Sequence, residues 1–135
     1  MATRSRIGIW TADRKIKSVY CHWDGYSSNN GKILLKHYNT KEKVEALITL
    51  GDISSLEASI ECPKGHSFDN KIDGYTVFYH RDRGEDWDSV KPLITTKAEG
   101  MPQEAYDYLF DPQTNEWKYR HSKIWLKLTP KVCGM

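Results

Sequence analysis

Two short stretches of this 135-residue chain gather the residue types from which sites are made. The first, Tyr20-Cys21-His22-Trp23-Asp24-Gly25-Tyr26, sets an imidazole and a carboxylate among aromatic rings. Such a group can stack on a planar ligand while His22 and Asp24 read its edge. It also reads as a strand end in which Trp23 is core, Asp24 fixes a turn and Gly25 supplies a positive φ. The second stretch, Tyr79-His80-Arg81-Asp82-Arg83-Gly84-Glu85-Asp86, embeds two guanidinium groups among acids and an imidazole. Arg81 or Arg83 can grip a phosphate or carboxylate with a planar fork, although pairing with the neighbouring acids satisfies the same groups without a ligand. Ligand or partner binding is therefore expected at His22, Trp23, Asp24, Tyr26, His80, Arg81 and Arg83. If the strands that carry them are neighbours, His22, Asp24, His80 and Asp82 form an acid/base or metal set, because imidazole titrates near neutrality and carboxylates orient it.

Stronger chemical signatures are missing. There is no phosphate-cradling glycine loop, no helical pair of zinc-binding histidines and no serine-hydrolase elbow, so no catalytic residue and no cofactor is expected. The three cysteines are odd in number and widely spaced, which predicts reduced thiols rather than a disulfide framework. Cys21-His22 and Cys62-x-x-x-His66 are only loose versions of zinc-ligand spacing, and no metal is expected. The alternating aromatics and cations of Trp117-Lys118-Tyr119-Arg120-His121-Ser122-Lys123-Ile124-Trp125 suit stacking on bases beside phosphate contacts. An ordinary half-buried antiparallel strand shows the same alternation.

The elements that must position these residues are legible from periodicity. Arg6–Trp10 and Ile16–Trp23 are β-branched and aromatic runs around the polar turn Thr11–Lys15, which predicts a hairpin with Val19, Cys21 and Trp23 on its core face. A helix is expected through Lys32–Tyr38, and a second over Lys41–Leu50, where Val44, Leu47 and Ile48 share a face and Gly51 offers a left-handed stop. Asp52 is placed to cap a further helical turn. Tyr75–His80 reads as a strand followed by a charged loop. Ala105–Phe110 and Glu116–His121 flank the turn Asp111–Asn115, with Ile124–Leu128 as a further strand. The expectation is one α+β domain over residues 1–135: a mostly antiparallel sheet of four to six strands with two helices packed on one face.

Composition sets the broad class. With 39% apolar and 28% charged residues the chain lies far from the regime of disordered proteins. Its longest apolar stretches, around Ala46–Leu50 and Ile33–Leu35, fall well short of the ~18–20 residues that span a bilayer. The basic start, Met1–Trp10, lacks an apolar leader segment, which predicts a cytoplasmic protein without membrane contact. Net charge is +2, with nine Lys/Arg against three Asp/Glu in residues 1–43, six against fourteen in 44–111, and five against one in 112–135. If the basic ends meet, they form a positive face for an acidic or phosphate-bearing partner; solvated, cross-paired charges are the plainer reading.

Several stretches together carry a resemblance: Met1-Ala-Thr-Arg-Ser-Arg-Ile-Gly-Ile9, Tyr20–Tyr26, Gly31-Lys32-Ile33-Leu34-Leu35-Lys36-His37-Tyr38 and Leu50-Gly51-Asp52-Ile53-Ser54-Ser55-Leu56. The chain resembles a family of small, largely uncharacterised proteins of tailed bacteriophages and prophages, closest over roughly its first 60 residues. The resemblance implies a setting in the host cytoplasm. It also implies a non-catalytic role that counters a host defence, either by inhibiting a host protein or by sequestering a small nucleotide ligand. Alternatives from the residues themselves are a small hydrolase acting on a phosphate ester and a nucleic-acid-binding protein. A homodimer through exposed sheet edges is a further expectation.

Overall fold

The computed structural model describes residues 2–135, Glu99 by its backbone alone. The chain opens with β1 (Ser5–Trp10) and β2 (Ile16–Cys21), an antiparallel hairpin in which Ser5 faces Cys21 and Trp10 faces Ile16. A single wide helical turn, Ser27–Gly31, leads into α1 (Lys32–His37), followed by α2 (Lys41–Thr49). The Thr40 side chain caps α2 by accepting from Lys43 N. Then come β3 (Ile53–Ser55), β4 (Val77–Phe78), α3 (Tyr79–Arg83), α4 (Trp87–Val90) and β5 (Leu93–Thr95). A tight turn at Ala98–Gly100 precedes β6 (Tyr106–Asp111), β7 (Glu116–Arg120) and β8 (Leu126–Lys127).

All eight strands join one sheet in the order β4-β3-β2-β1-β6-β7-β8, with β5 on the edge of β2 beside β3. Two pairings are parallel: β1 with β6, where Ile7 faces Tyr108, and the end of β2 with β3, where Cys21 faces Ile53. The sheet thus overturns the expectation of four to six strands with two helices: it has eight strands, and four short helices accompany it. The surplus has a physical cause. Strands β3, β4, β5 and β8 are two or three residues long, too short for a period-two pattern to show.

The two faces of the sheet differ. Ile7, Ile9, Val19, Cys21, Tyr108, Phe110 and Trp117 project from one face onto Leu34, Tyr38, Val44, Leu47 and Ile48 of the helices, forming the main core. The buried Trp117 indole donates to the Tyr38 carbonyl (2.8 Å), tying β7 to the end of α1. On the other face Ile16, Met101 and Leu109, with Trp10 and Trp125 packed against them, make a smaller core over half the sheet. No helix among the described residues is long and apolar enough to cross a membrane.

Local readings shift in three places. Asp52 does not cap a helix: Gly51 turns left-handed (φ 86°) to end α2, and the Asp52 carboxylate accepts from Tyr20 N (2.9 Å) across the sheet. The expected strand Tyr75–His80 survives only as Val77–Phe78. There the Asp82 carboxylate reaches back to Phe78 N (2.7 Å), which coils Tyr79–Arg83 into a helix that Gly84 (φ 81°) stops. Trp23, expected in the core, is 39% exposed, because β2 ends at Cys21 and Asp24 adopts a left-handed φ of 55°.

Candidate functional site

The expected site residues lie at one corner of the sheet, on either side of β3. His22 N and Trp23 N donate to the carbonyls of Ile53 and Ser54 (both 3.0 Å), so the end of β2 is held beside β3. On the far side Tyr79 N donates to the Asp52 carbonyl (3.2 Å) while the Asp52 side chain holds Tyr20 N. Asp52 therefore bridges the two clusters that the sequence separates by more than fifty residues. No hydrogen bond or ion pair among the described residues joins His22 to His80.

In the first cluster the His22 Nδ1 meets the Tyr20 hydroxyl at 2.6 Å, and its ring lies edge-on to Trp23 with centroids 4.7 Å apart. Asp24 serves the turn: its carbonyl accepts from Asn30 N (3.3 Å) and Asn29 Nδ2 (3.1 Å). Gly25 must be glycine, since a Cβ there would lie 2.7 Å from Ser5 Cβ and 2.8 Å from the Thr3 carbonyl oxygen. The Tyr108 hydroxyl donates to the Gly25 carbonyl (2.6 Å), nailing the loop to the buried face of β6. Trp23 and Tyr26 project from this rigid base into solvent.

In the second cluster the charges are consumed internally. Asp82, with a side chain only 1% exposed, accepts from Phe78 N and from Arg81 Nε (2.9 Å). Arg81 also donates to the carbonyls of Ile60, Glu61 and Thr76, and its guanidinium covers Phe78. It clamps the 57–76 loop and has no fork left for a ligand. Arg83 lies over Phe68 and pairs with Glu85 (3.2 Å). His80 Nδ1–H must donate to the Glu85 carbonyl (2.8 Å), with its ring edge against the exposed Trp87. The set His22, Asp24, His80, Asp82 is not assembled, because Asp24 is a turn residue and Asp82 is buried under Arg81. No group of three His, Cys, Asp or Glu among the described residues is placed to hold a metal ion.

The structure adds members that sequence reasoning missed. Arg6 stands on β1, where Nη1 donates to Ser18 Oγ (3.0 Å) and the buried Nε has no partner among the described residues. Burial lowers its pKa, opposed by the charges of Asp52, Glu104 and Asp107. Burial likewise raises the Asp52 carboxyl, against its bond to Tyr20 N and the pull of Arg6. Ser54 Oγ is buried without a partner; the Tyr79 hydroxyl reaches toward it without completing a bond of normal geometry. A cation inside the β-branched run Arg6–Trp10 was the one available signal. Compared with family models, with curated proteins and with solved structures, the chain matches none.

At the opposite end of β1 and β2 a cleft of about 830 Å³ opens between the β1–β2 turn, α2 and the β6–β7 turn. Ile9, Ala12, Ile48 and Pro112 give it apolar surface; Arg14, Lys17 and Lys41 bring cations, and Glu45 and Asp111 bring carboxylates. None of the seven expected site residues lines this cleft or the shallower groove beside α1 and α2. The stretch Trp117–Trp125 does not form a base-stacking platform either: Trp117 is buried, and Arg120 is bound to Asp107 (3.0 Å) beneath Trp125.

Proposed function

We propose that this chain is a non-catalytic binding protein that docks onto another protein through the corner formed by His22–Tyr26, Tyr79–Arg83 and Trp87. The observation that carries the reading is the state of the side chains there. Arg81, Asp82 and Arg83 are paired in place, while Trp23, Tyr26 and Trp87 stand exposed, the first two on a loop that the Tyr108 hydroxyl ties to the core. Exposed aromatics on a preorganised base are what protein interfaces use as anchors, since they lose little conformational freedom on binding. A surface without a cavity suits a protein partner better than a small ligand. The resemblance to phage proteins supplies the setting: a host protein whose defence activity the complex suppresses.

The test is affinity capture from infected host cells with the wild-type chain beside Trp23→Ala/Tyr26→Ala. We expect a stoichiometric complex that the double variant loses, its circular dichroism unchanged. A complex retained by the double variant, or no complex with either, overturns the proposal.

A further inference from the structure

We infer that the cleft between the β1–β2 turn and α2 is a second, independent site that takes a phosphorylated sugar, a nucleotide being the fullest match. The argument begins with charge. Lys17 is half-buried on β2, Arg14 sits at the turn, and neither has a carboxylate within ion-pair distance among the described residues. Lys41 has only Glu45, at 3.8 Å on an exposed helix surface. Cations without counter-ions around an apolar hollow favour an anion, and a phosphate can take several charge-assisted bonds at once.

Carboxylates also line the cleft. Asp111 is fixed in the β6–β7 turn because its Oδ1 accepts from Gln113 N (2.9 Å), which leaves Oδ2 as a free acceptor. Glu45 stands across from it on α2. A free carboxylate oxygen beside a phosphate subsite suits the hydroxyl donors of a sugar. Between the walls Ile9, Ile48 and Pro112 offer apolar contact for a flat substituent. The volume, about 830 Å³, lies within the ~300–1,000 Å³ range of small-molecule sites. Trp10, which packs against the Ile16, Met101 and Leu109 cluster, also contributes to the lining.

The turn is built to hold its cations still. Thr11 N donates to the Lys15 carbonyl (2.8 Å), Lys15 N donates to Thr11 Oγ1 (3.0 Å), and Arg14 takes the left-handed φ of 61° that this closure requires. The floor is equally fixed, because Ile9 and Ile48 belong to the main core.

Amide-resolved NMR titration and calorimetry of the full chain with inorganic phosphate, ribose 5-phosphate, adenosine, AMP and ADP test the assignment. We expect shifts at the cleft residues, affinity rising from phosphate through ribose 5-phosphate and AMP to ADP, and no measurable binding of adenosine. Affinity should fall as salt rises from about 0.05 to about 0.2 M. Lys17→Gln and Lys41→Gln should each weaken ADP about tenfold, the loss of one charge-assisted contact. Asp111→Asn should erase the preference for ribose 5-phosphate over phosphate. Trp23→Ala/Tyr26→Ala should bind ADP as the wild type does, which separates this site from the docking corner. Adenosine binding as tightly as AMP, silence of the cleft residues with every phosphate, or unchanged affinity in both lysine variants overturns the inference.

Discussion

The corner around β3 and the cleft at the β1–β2 turn hold similar numbers of charged residues and use them in opposite ways. At the corner, Arg81 and Asp82 are bonded to each other and to backbone groups of the loop they pin, and Arg83 is closed by Glu85. Beside them Trp23, Tyr26 and Trp87 are the large exposed apolar side chains. At the cleft, Arg14 and Lys17 are unpaired and Asp111 keeps a free oxygen. The lesson is that a run of charges becomes a site or a scaffold according to what the fold sets beside it. A buried ion pair is unforgiving of losing one partner, whereas exposed unpaired cations contribute little to folding.

That contrast can be broken by mutation. The largest effect is expected for Asp82→Ala, which strands the Phe78 N–H and the Arg81 guanidinium: a loss of about 3–5 kcal/mol in urea unfolding. A loss below about 1 kcal/mol would mean that the clamp is not structural. Next comes pH. The Asp52 carboxyl is raised by burial, so the folded chain holds its proton more tightly than the unfolded chain. The resulting stabilisation is full below the ordinary carboxylate pKa of about 4 and is lost as pH rises through the raised value. The melting temperature of the wild type, measured relative to Asp52→Asn, should fall over that window and then level off. A flat difference would place Asp52 in ordinary solvent. Smaller still, Lys17→Gln and Arg14→Gln should change stability by less than about 0.5 kcal/mol while altering ligand binding, the signature of a site rather than a scaffold.

A final measurement separates core from surface by chemistry. Cys62 is exposed, whereas Cys21 and Cys133 are buried, with burial pushing the Cys21 thiol up to about 11. One thiol should react with maleimide in the native state, and none in Cys62→Ser. Reaction of a second would show that the main core opens on the labelling timescale.

How far the sequence alone reached can be judged residue by residue. The first hairpin, α1, α2 and the β6–β7 hairpin were legible because each is long enough for its period to show: Val44, Leu47 and Ile48 share a buried helical face as expected. The short strands were not, since their pairing is decided by neighbours far along the chain, as where Ile53 finds both Cys21 and Phe78. Tyr75–His80 misled because one carboxylate, Asp82, turned an alternating run into a helix. Trp23 and Tyr26 stand in a polar and aromatic cluster that is visible in the sequence, but the roles of Asp52 and Arg6 depend on a strand order that no local pattern encodes. The cleft has no local signature in the sequence, because its lining is drawn from two separate hairpin turns and a helix.

The parallel pairing of β1 with β6 has a consequence for the nascent chain. Ile7 meets Tyr108 and Ile9 meets Phe110, so the centre of the sheet joins residues that leave the ribosome about a hundred positions apart. A ribosome emitting roughly 5–20 residues per second leaves the Ser5–Cys21 hairpin waiting several seconds with one strand edge uncovered. Closure is then a non-local event of the kind that slows folding, and the ribosome's pace, or a chaperone that shields β1, sets how much of the newly made protein reaches its final form.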